Sequence, residues 1–213
     1  MTELLLNLLK GVPYTLGVTI GAFVIGMIGG VPLVLMRRSS SRFLRWPARI
    51  YIDVMRGIPP VVWLFIIFFG LSSVLIKLSS FQAATIGLGL VSAAYLAEIY
   101  RGGFLALPKA QGEAAVALGM SHADILRYVM APQVLQVSIA PMATFLVSLL
   151  KDSTVASTIG VRDIMMFGSQ AAQASGGGYA PFVFAAALYI ILSIPVAFFS
   201  RLMDERLRRS IGR

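Results

Sequence analysis

The chain has 213 residues, of which 58% are hydrophobic and 13% charged, with a mean hydropathy of +0.85, one His and no Cys. That apolar load exceeds what a water-soluble fold of this length can bury; the composition also excludes disorder and a fibrous repeat, and the missing Cys excludes a disulfide scaffold and the usual zinc or iron–sulfur ligand sets, so no metal site or cofactor is expected. What remains is an all-α integral membrane protein, one domain over residues 1–213, whose net charge of +9 reads as cytoplasmic-loop Lys and Arg, with no nucleic-acid partner.

Residues 1–10 carry one acid, Glu3, and one base, Lys10, and so lack the basic start of a cleaved signal peptide. Leu4, Leu5, Leu8 and Leu9 predict a short helix lying in the membrane interface. Beyond them the charges divide the chain. Residues 11–36, 57–76, 78–97, 128–150 and 164–200 contain none. At a rise of about 1.5 Å per residue, roughly 20 apolar residues cross a hydrocarbon core of about 30 Å. The last gap opens on a polar stretch, Gly168, Ser169, Gln170, Gln173 and Ser175, followed by the flexible Gly176-Gly177-Gly178, so only its later part can span. The expected spans are therefore about 12–36, 57–76, 80–100, 128–150 and 179–200. Continuous apolar runs, rather than alternating ones, argue against a β-barrel.

An odd number of spans puts the termini on opposite sides. One side would hold Arg37, Arg38, Arg42, Arg45, Arg49, Arg56, Arg101, Lys109, Arg127, Arg201, Arg206, Arg208, Arg209 and Arg213, which is 14 of the 18 basic residues. That side is cytoplasmic by the positive-inside rule, so the N-terminus is outside and the C-terminus inside.

The cytoplasmic loop 101–127 has a pattern of its own. Pro108 suits a first helical turn, 109–118 has helix-forming composition apart from Gly112, and Gly119 is placed to end the helix in a left-handed cap. Ser121 with Asp124 reads as an N-cap followed by a capping-box acid. Helix, tight turn and helix follow; by pattern alone they either connect two spans or offer a rigid knob to a soluble partner. His122 beside the cap reads as a surface histidine.

Glu113-Ala114-Ala115 and Leu118-Gly119 of this loop, with Ala131-Pro132-Gln133 just beyond it, resemble the EAA loop of ATP-binding-cassette importer permeases. Leu9, Gly11 and Tyr14-Thr15-Leu16 resemble that family's first-helix start. Tyr51 with Arg56-Gly57-Ile58-Pro59 resembles its approach to the second helix, Ala94 to Gly103 its third-helix end, and Lys151-Asp152-Ser153-Thr154 with Ile159-Gly160-Val161 the stretch after its fourth. The ordered set covers about residues 9–207 and is similar to the polar-amino-acid subgroup, whose members carry histidine, glutamine, glutamate or arginine. Departures are Pro60 beside Pro59, Val61-Val62-Trp63 where the family has a Gln, and Ala110 before Gln111. The first two bear on the lining of the second helix and on substrate identity.

The resemblance implies a MetI-like permease fold in the bacterial cytoplasmic (inner) membrane. It implies a second permease chain, identical or paralogous, a pair of nucleotide-binding ATPase subunits, an external solute-binding protein and a polar amino-acid substrate, with membrane lipid around the spans. The sequence has no Gly-x-x-x-x-Gly-Lys-Ser/Thr phosphate loop and no nucleophile–base set, so ATP hydrolysis is expected in a partner chain. Glu113, Ala114, Ala115, Leu118 and Gly119 would seat in the ATPase, although Glu113 also reads as an exposed first-turn acid at a helix N-terminus.

Pro132 and Pro141 are expected hinges in the fourth span. Thr144, Ser148 and Lys151 or Asp152 continue at helical spacing, either as pathway lining or as interhelical glue. Glu98 lies one turn before Arg101, and Asp53 stands likewise to Arg56, as local ion pairs. Glu98 has two further readings: it crosses to Arg56 and closes the inner end of the pathway, or it meets a substrate amine. Lys151 and Asp152 either meet an amino acid's carboxylate and amine or anchor the helix at the headgroups. The alternative function, a passive channel or small secondary transporter, calls for central charges and inverted repeats; the sequence shows neither.

Overall fold

A computed structural model describes residues 2–71 and 77–211, which form helices joined by short turns, with no strand among them. In chain order these are α1 (Thr2–Leu9), α2 (Val12–Arg38), α3 (Arg42–Gly57), α4 (Pro60–Phe65, prolonged by a π-turn, Ile66–Leu71), α5 (Ser80–Ala106), α6 (Lys109–Ala117), α7 (His122–Asp124, prolonged by a π-segment, Ile125–Met130), α8 (Ala131–Asp152, prolonged by a 3₁₀ segment, Ser153–Ile159), α9 (Ile164–Ala174) and α10 (Ala180–Ile211). Four segments are long and apolar enough to cross a membrane: Thr2–Arg38, Ser80–Ala106, His122–Ile159 and Ala180–Leu202. A fifth forms if α3 and α4 count as one, but the two meet at 105°.

Three segments bear on the expected spans. The leucine-rich start is a short helix of its own, α1, joined to α2 through a turn at Lys10 and Gly11, with Leu8 fully buried among Ile164, Ala185 and Leu188. The second expected span is described only through Leu71; residues 72–76 lie outside the described residues. The polar stretch before the triple glycine is a helix, α9, too short to span at 11 residues. The turn that follows has Gly176 and Gly177 at φ of 75° and 90°, a left-handed geometry that glycine adopts freely. Of the expected basic tail, Arg206, Arg208, Arg209 and Arg213 lie outside the residues whose side chains are described.

α5 is the axis. It starts on a capping box, in which Gln82 N–H donates to Ser79 Oγ (3.2 Å) and Ser79 N–H to Gln82 Oε1 (3.0 Å). Its buried side chains join two clusters. Leu88 packs with Val18, Leu64, Leu149 and Ile159; Leu96 and Tyr100 pack with Val34, Ile52 and Val134. In lipid the hydrophobic effect does little to hold helices together, so close packing must. α2 and α5 meet that need with small residues. A Cβ on Gly26 would stand 2.5 Å from Ser92 Cβ and 3.0 Å from the Ser92 carbonyl carbon, and Gly89 admits Ile25 in return.

Gly26→Val is therefore expected to force the two helices apart, at a cost of about 1–3 kcal/mol or more. Thermal melting of the purified protein checks this. Gly102→Ala is the control: no atom lies within 4 Å of its added Cβ, so stability should hold or rise slightly.

Candidate functional site

The element between α5 and α8 is built by its own capping chemistry. α6 follows Pro108, and its end is a Schellman turn: Gly119 N–H donates to Val116 O (2.9 Å) and Met120 N–H to Ala115 O (3.1 Å), with Gly119 at φ 78°. The chain restarts at Ser121, whose Oγ accepts from Asp124 N–H (3.2 Å) and donates to Asp124 Oδ2 (2.6 Å). The acid thus braces the capping hydroxyl rather than the backbone. Glu113, Ala114, Leu118 and Gly119 are exposed, while Ala115 turns inward at 4% exposure. Leu118 is 82% exposed and Val116 58%, outside any helix long enough to span. The turn thus presents exposed apolar side chains on a rigid, capped scaffold.

At the same end of the bundle, α2, α3 and α5 meet on one carboxylate. Arg37 Nε lies 3.0 Å from Glu98 Oε1, Arg101 Nη2 donates to Glu98 Oε2 at 2.8 Å and Arg101 Nε at 3.0 Å, and Arg56 Nη1 stands 4.0 Å from Oε2. The Glu98 side chain is only 15% exposed, so these charges attract through a partly desolvated medium. Arg56 also lies over the Tyr95 ring, 5.1 Å from its centroid, and Tyr95 stacks on Phe145 of α8.

Both sequence-expected partners of Glu98 are present. Arg37 was not foreseen, because 61 residues separate the two and only the packing of α2 on α5 brings them together. Asp53 pairs with Arg49 (3.6 Å), not with the expected Arg56, whose guanidinium is drawn to Glu98 and Tyr95.

The remaining candidates sit elsewhere. Pro132 is in the first turn of α8, just past the π-segment, and Pro141 is inside the helix, which continues to Asp152. Thr144 Oγ1 donates to Ala140 O (3.1 Å); Ser200 Oγ of α10 donates to the same carbonyl (3.3 Å) and lies 3.4 Å from Thr144. Thr144 thus meets α10, the glue arrangement, and Ser148 is half-buried. Lys151 and Asp152 end α8 with exposed side chains, about 30 Å along the helix from Ala131. They and Glu98 therefore do not form one constellation. Beyond them, Ser153, Thr154, Ser157 and Thr158 each donate to the carbonyl three residues back (2.6–2.8 Å), which accounts for the 3₁₀ geometry.

That segment leads to Gly160 and to Asp163, which caps α9: Met166 N–H donates to Asp163 Oδ1 (2.8 Å). Thr15 of α2 accepts from Ile164 N–H, and Tyr189 of α10 closes the pocket. Burial at 1% exposure pushes the Asp163 carboxyl up to about 6. A folded-state value raised above the unfolded one favours folding below about pH 4 and is lost as pH rises through 6. Asp163→Asn keeps the capping oxygen and removes the charge. The variant should therefore be more stable than the parent at pH 7.5, by up to about 3 kcal/mol, and gain little at pH 4. Melting curves at the two pH values check it.

The family described as "Binding-protein-dependent transport system inner membrane component" matches residues 14–209. The probable amino-acid ABC transporter permease protein YckA of Bacillus subtilis (strain 168) is 40% identical over 157 residues, covering 74% of this chain and 70% of YckA. The arginine transport system permease protein ArtQ of the same organism is 34% identical over 202 residues, 94% of this chain and 92% of ArtQ. Among solved structures, an amino acid ABC transporter crystallised with histidines superposes with a TM-score of 0.89 at 31% identity, covering 97% of this chain and 96% of that one. The MetNI methionine ABC transporter in an inward-facing conformation gives 0.85 at 21% identity over the whole of both chains, which establishes the shared fold.

Proposed function

Because the chain belongs to the family of binding-protein-dependent transport system inner membrane components, we propose that it is the transmembrane permease subunit of an ATP-driven amino-acid importer. It works with ATPase subunits and a second permease chain in a multi-pass assembly of the bacterial inner membrane. The observation that carries the coupling role is the exposed α6 turn, Glu113 to Gly119, rigidly ended by the Schellman geometry and presenting Leu118 outward. ATPase closure would push on this turn, and the π-segment that follows α7 would pass the push into α8. Binding energy in the ATPase thereby biases one membrane conformation over another.

The finer assignments belong to the same reading. Five spans cross with the N-terminus outside, and the basic loops, α6 and the Glu98 cluster face the cytoplasm. Pro132 and Pro141 allow α8 to flex. Glu98, Arg37, Arg56 and Arg101 latch α2, α3 and α5 at the inner end of the pathway. Lys151 and Asp152 stand at the outer end, where a solute-binding protein would deliver a polar amino acid.

The test is purification from native membranes followed by transport. The chain should bring down an ATPase in equal amount, and vesicles holding the assembly should accumulate labelled polar amino acids only when ATP is supplied. Transport without ATP or an ATPase would favour a passive channel or secondary transporter instead.

A further inference from the structure

α3 carries three different faces. At 100° per residue, Leu44, Ala48, Tyr51, Ile52 and Met55 point one way, and Ala48 and Ile52 are buried at 1% and 0% exposure. A third of a turn away, Phe43, Trp46, Ile50 and Val54 form a stripe at spacings of three and four, with exposures of 86%, 64%, 50% and 42%. The third face is charged and carries Arg42, Arg45 and Arg49. Arg49 has only an exposed pair with Asp53, and Arg42 and Arg45 have no acidic group within ion-pair distance among the described residues. Arg56, on the same side at the far end of the helix, is held instead by Glu98 and Tyr95.

With four arginines in 16 residues, α3 cannot cross a bilayer. Its 105° junction with α4 lays it near the membrane plane when α4 is upright. An apolar stripe beside a basic one, on a helix in that plane, fits an amphiphile with an acyl part and a negative headgroup. A soluble acidic protein would leave the Phe43–Val54 stripe uncovered.

We propose that α3 binds anionic phospholipid of the cytoplasmic leaflet, with Phe43, Trp46, Ile50 and Val54 set among the acyl chains and Arg42, Arg45 and Arg49 on the headgroup phosphates. The basic loop thereby does more than orient the chain: it selects the lipid beside the permease. The inference does not depend on ATPase docking, since it needs only the chain in a membrane.

Trp46 reports on it directly, since the chain has only one other tryptophan, Trp63. Trp63→Phe protein, purified with its ATPase, is placed in phosphatidylcholine vesicles containing a minor fraction of dibrominated phosphatidylglycerol, and the Trp46 signal is taken as the difference from the same complex carrying Trp46→Phe as well, so that tryptophans of the partner chains cancel. A parallel sample carries the same fraction of dibrominated phosphatidylcholine. Trp46 fluorescence should be quenched about two- to threefold more by the anionic lipid. The excess should vanish in R42Q/R45Q/R49Q and shrink at high salt, while quenching by brominated phosphatidylcholine persists. If Trp63→Phe does not fold, the difference between parent and Trp46→Phe spectra gives the same reading. Equal quenching by both lipids would overturn headgroup recognition. No quenching by either would show that a second copy or the ATPase covers the stripe, and would overturn the proposal entirely.

Discussion

Gly119→Asp should abolish ATP-coupled uptake while leaving the chain folded in the membrane. At φ 78° the residue occupies a backbone region that costs most L residues about 1–2 kcal/mol, and Asn and Asp less. No atom lies within 4 Å of an added Cβ, so the substitution meets no wall inside this chain. On the proposed docking role its effect comes from outside: a carboxylate is placed beside Leu118, on the exposed face of the turn, a few residues from Glu113. Three variants separate the causes. Gly119→Asn keeps left-handed tolerance without charge and should retain most uptake. Gly119→Ala keeps the small size but strains the turn, and should lower both coupling and melting temperature modestly. Gly119→Asp should melt near the parent value yet show no uptake and no response of the ATPase to substrate. Normal transport by the aspartate variant would remove the α6 turn from the docking surface.

That turn was almost wholly legible in the sequence because its signals are local. Pro108, Gly119 and Ser121 each act on backbone within four residues, and Asp124 acts on the Ser121 hydroxyl three residues back, so their chemistry needs no tertiary knowledge. The apolar rods were legible for a related reason, since a bilayer demands uninterrupted runs. What the sequence concealed is long-range or three-sided. Gly26 against Ser92 is a matter of two helices touching, and neither helix records the other. Arg37 looks like one more positive-inside residue until α2 packs on α5. α3 reads as a charged connection, because its apolar residues are divided between a face toward the protein and one away from it. α9 was read as a polar approach to the last span, although Asp163 caps it just as Ser121 caps α7.

Glu98→Gln should be the most damaging single change in the cluster where α2, α3 and α5 meet. The carboxylate balances Arg37 and Arg101 at 3.0 and 2.8 Å, with Arg56 at the limit of contact. Removing its charge leaves three guanidiniums gathered around a neutral amide in a site only 15% exposed. Exposed ion pairs are worth 1 kcal/mol or less, whereas stripping one partner from a buried pair costs about 3–5. The partial burial here, and the exposure of Arg56, put the expected loss near 2–3 kcal/mol, with uptake reduced at least about tenfold.

The latch makes a second demand that a substrate contact does not. If the damage is uncompensated positive charge, Arg37→Gln in the Glu98→Gln background should recover stability, and the double-mutant cycle should show a coupling of 1 kcal/mol or more. If Glu98 instead receives a substrate amine, Glu98→Gln should raise the KM for uptake with melting unchanged, and Arg37→Gln should rescue nothing. The geometry favours the first outcome. Both carboxylate oxygens already face arginines from three helices, so a substrate ammonium would have to displace one of them, and a displaced Arg37 or Arg101 guanidinium would remain in the same partly desolvated corner.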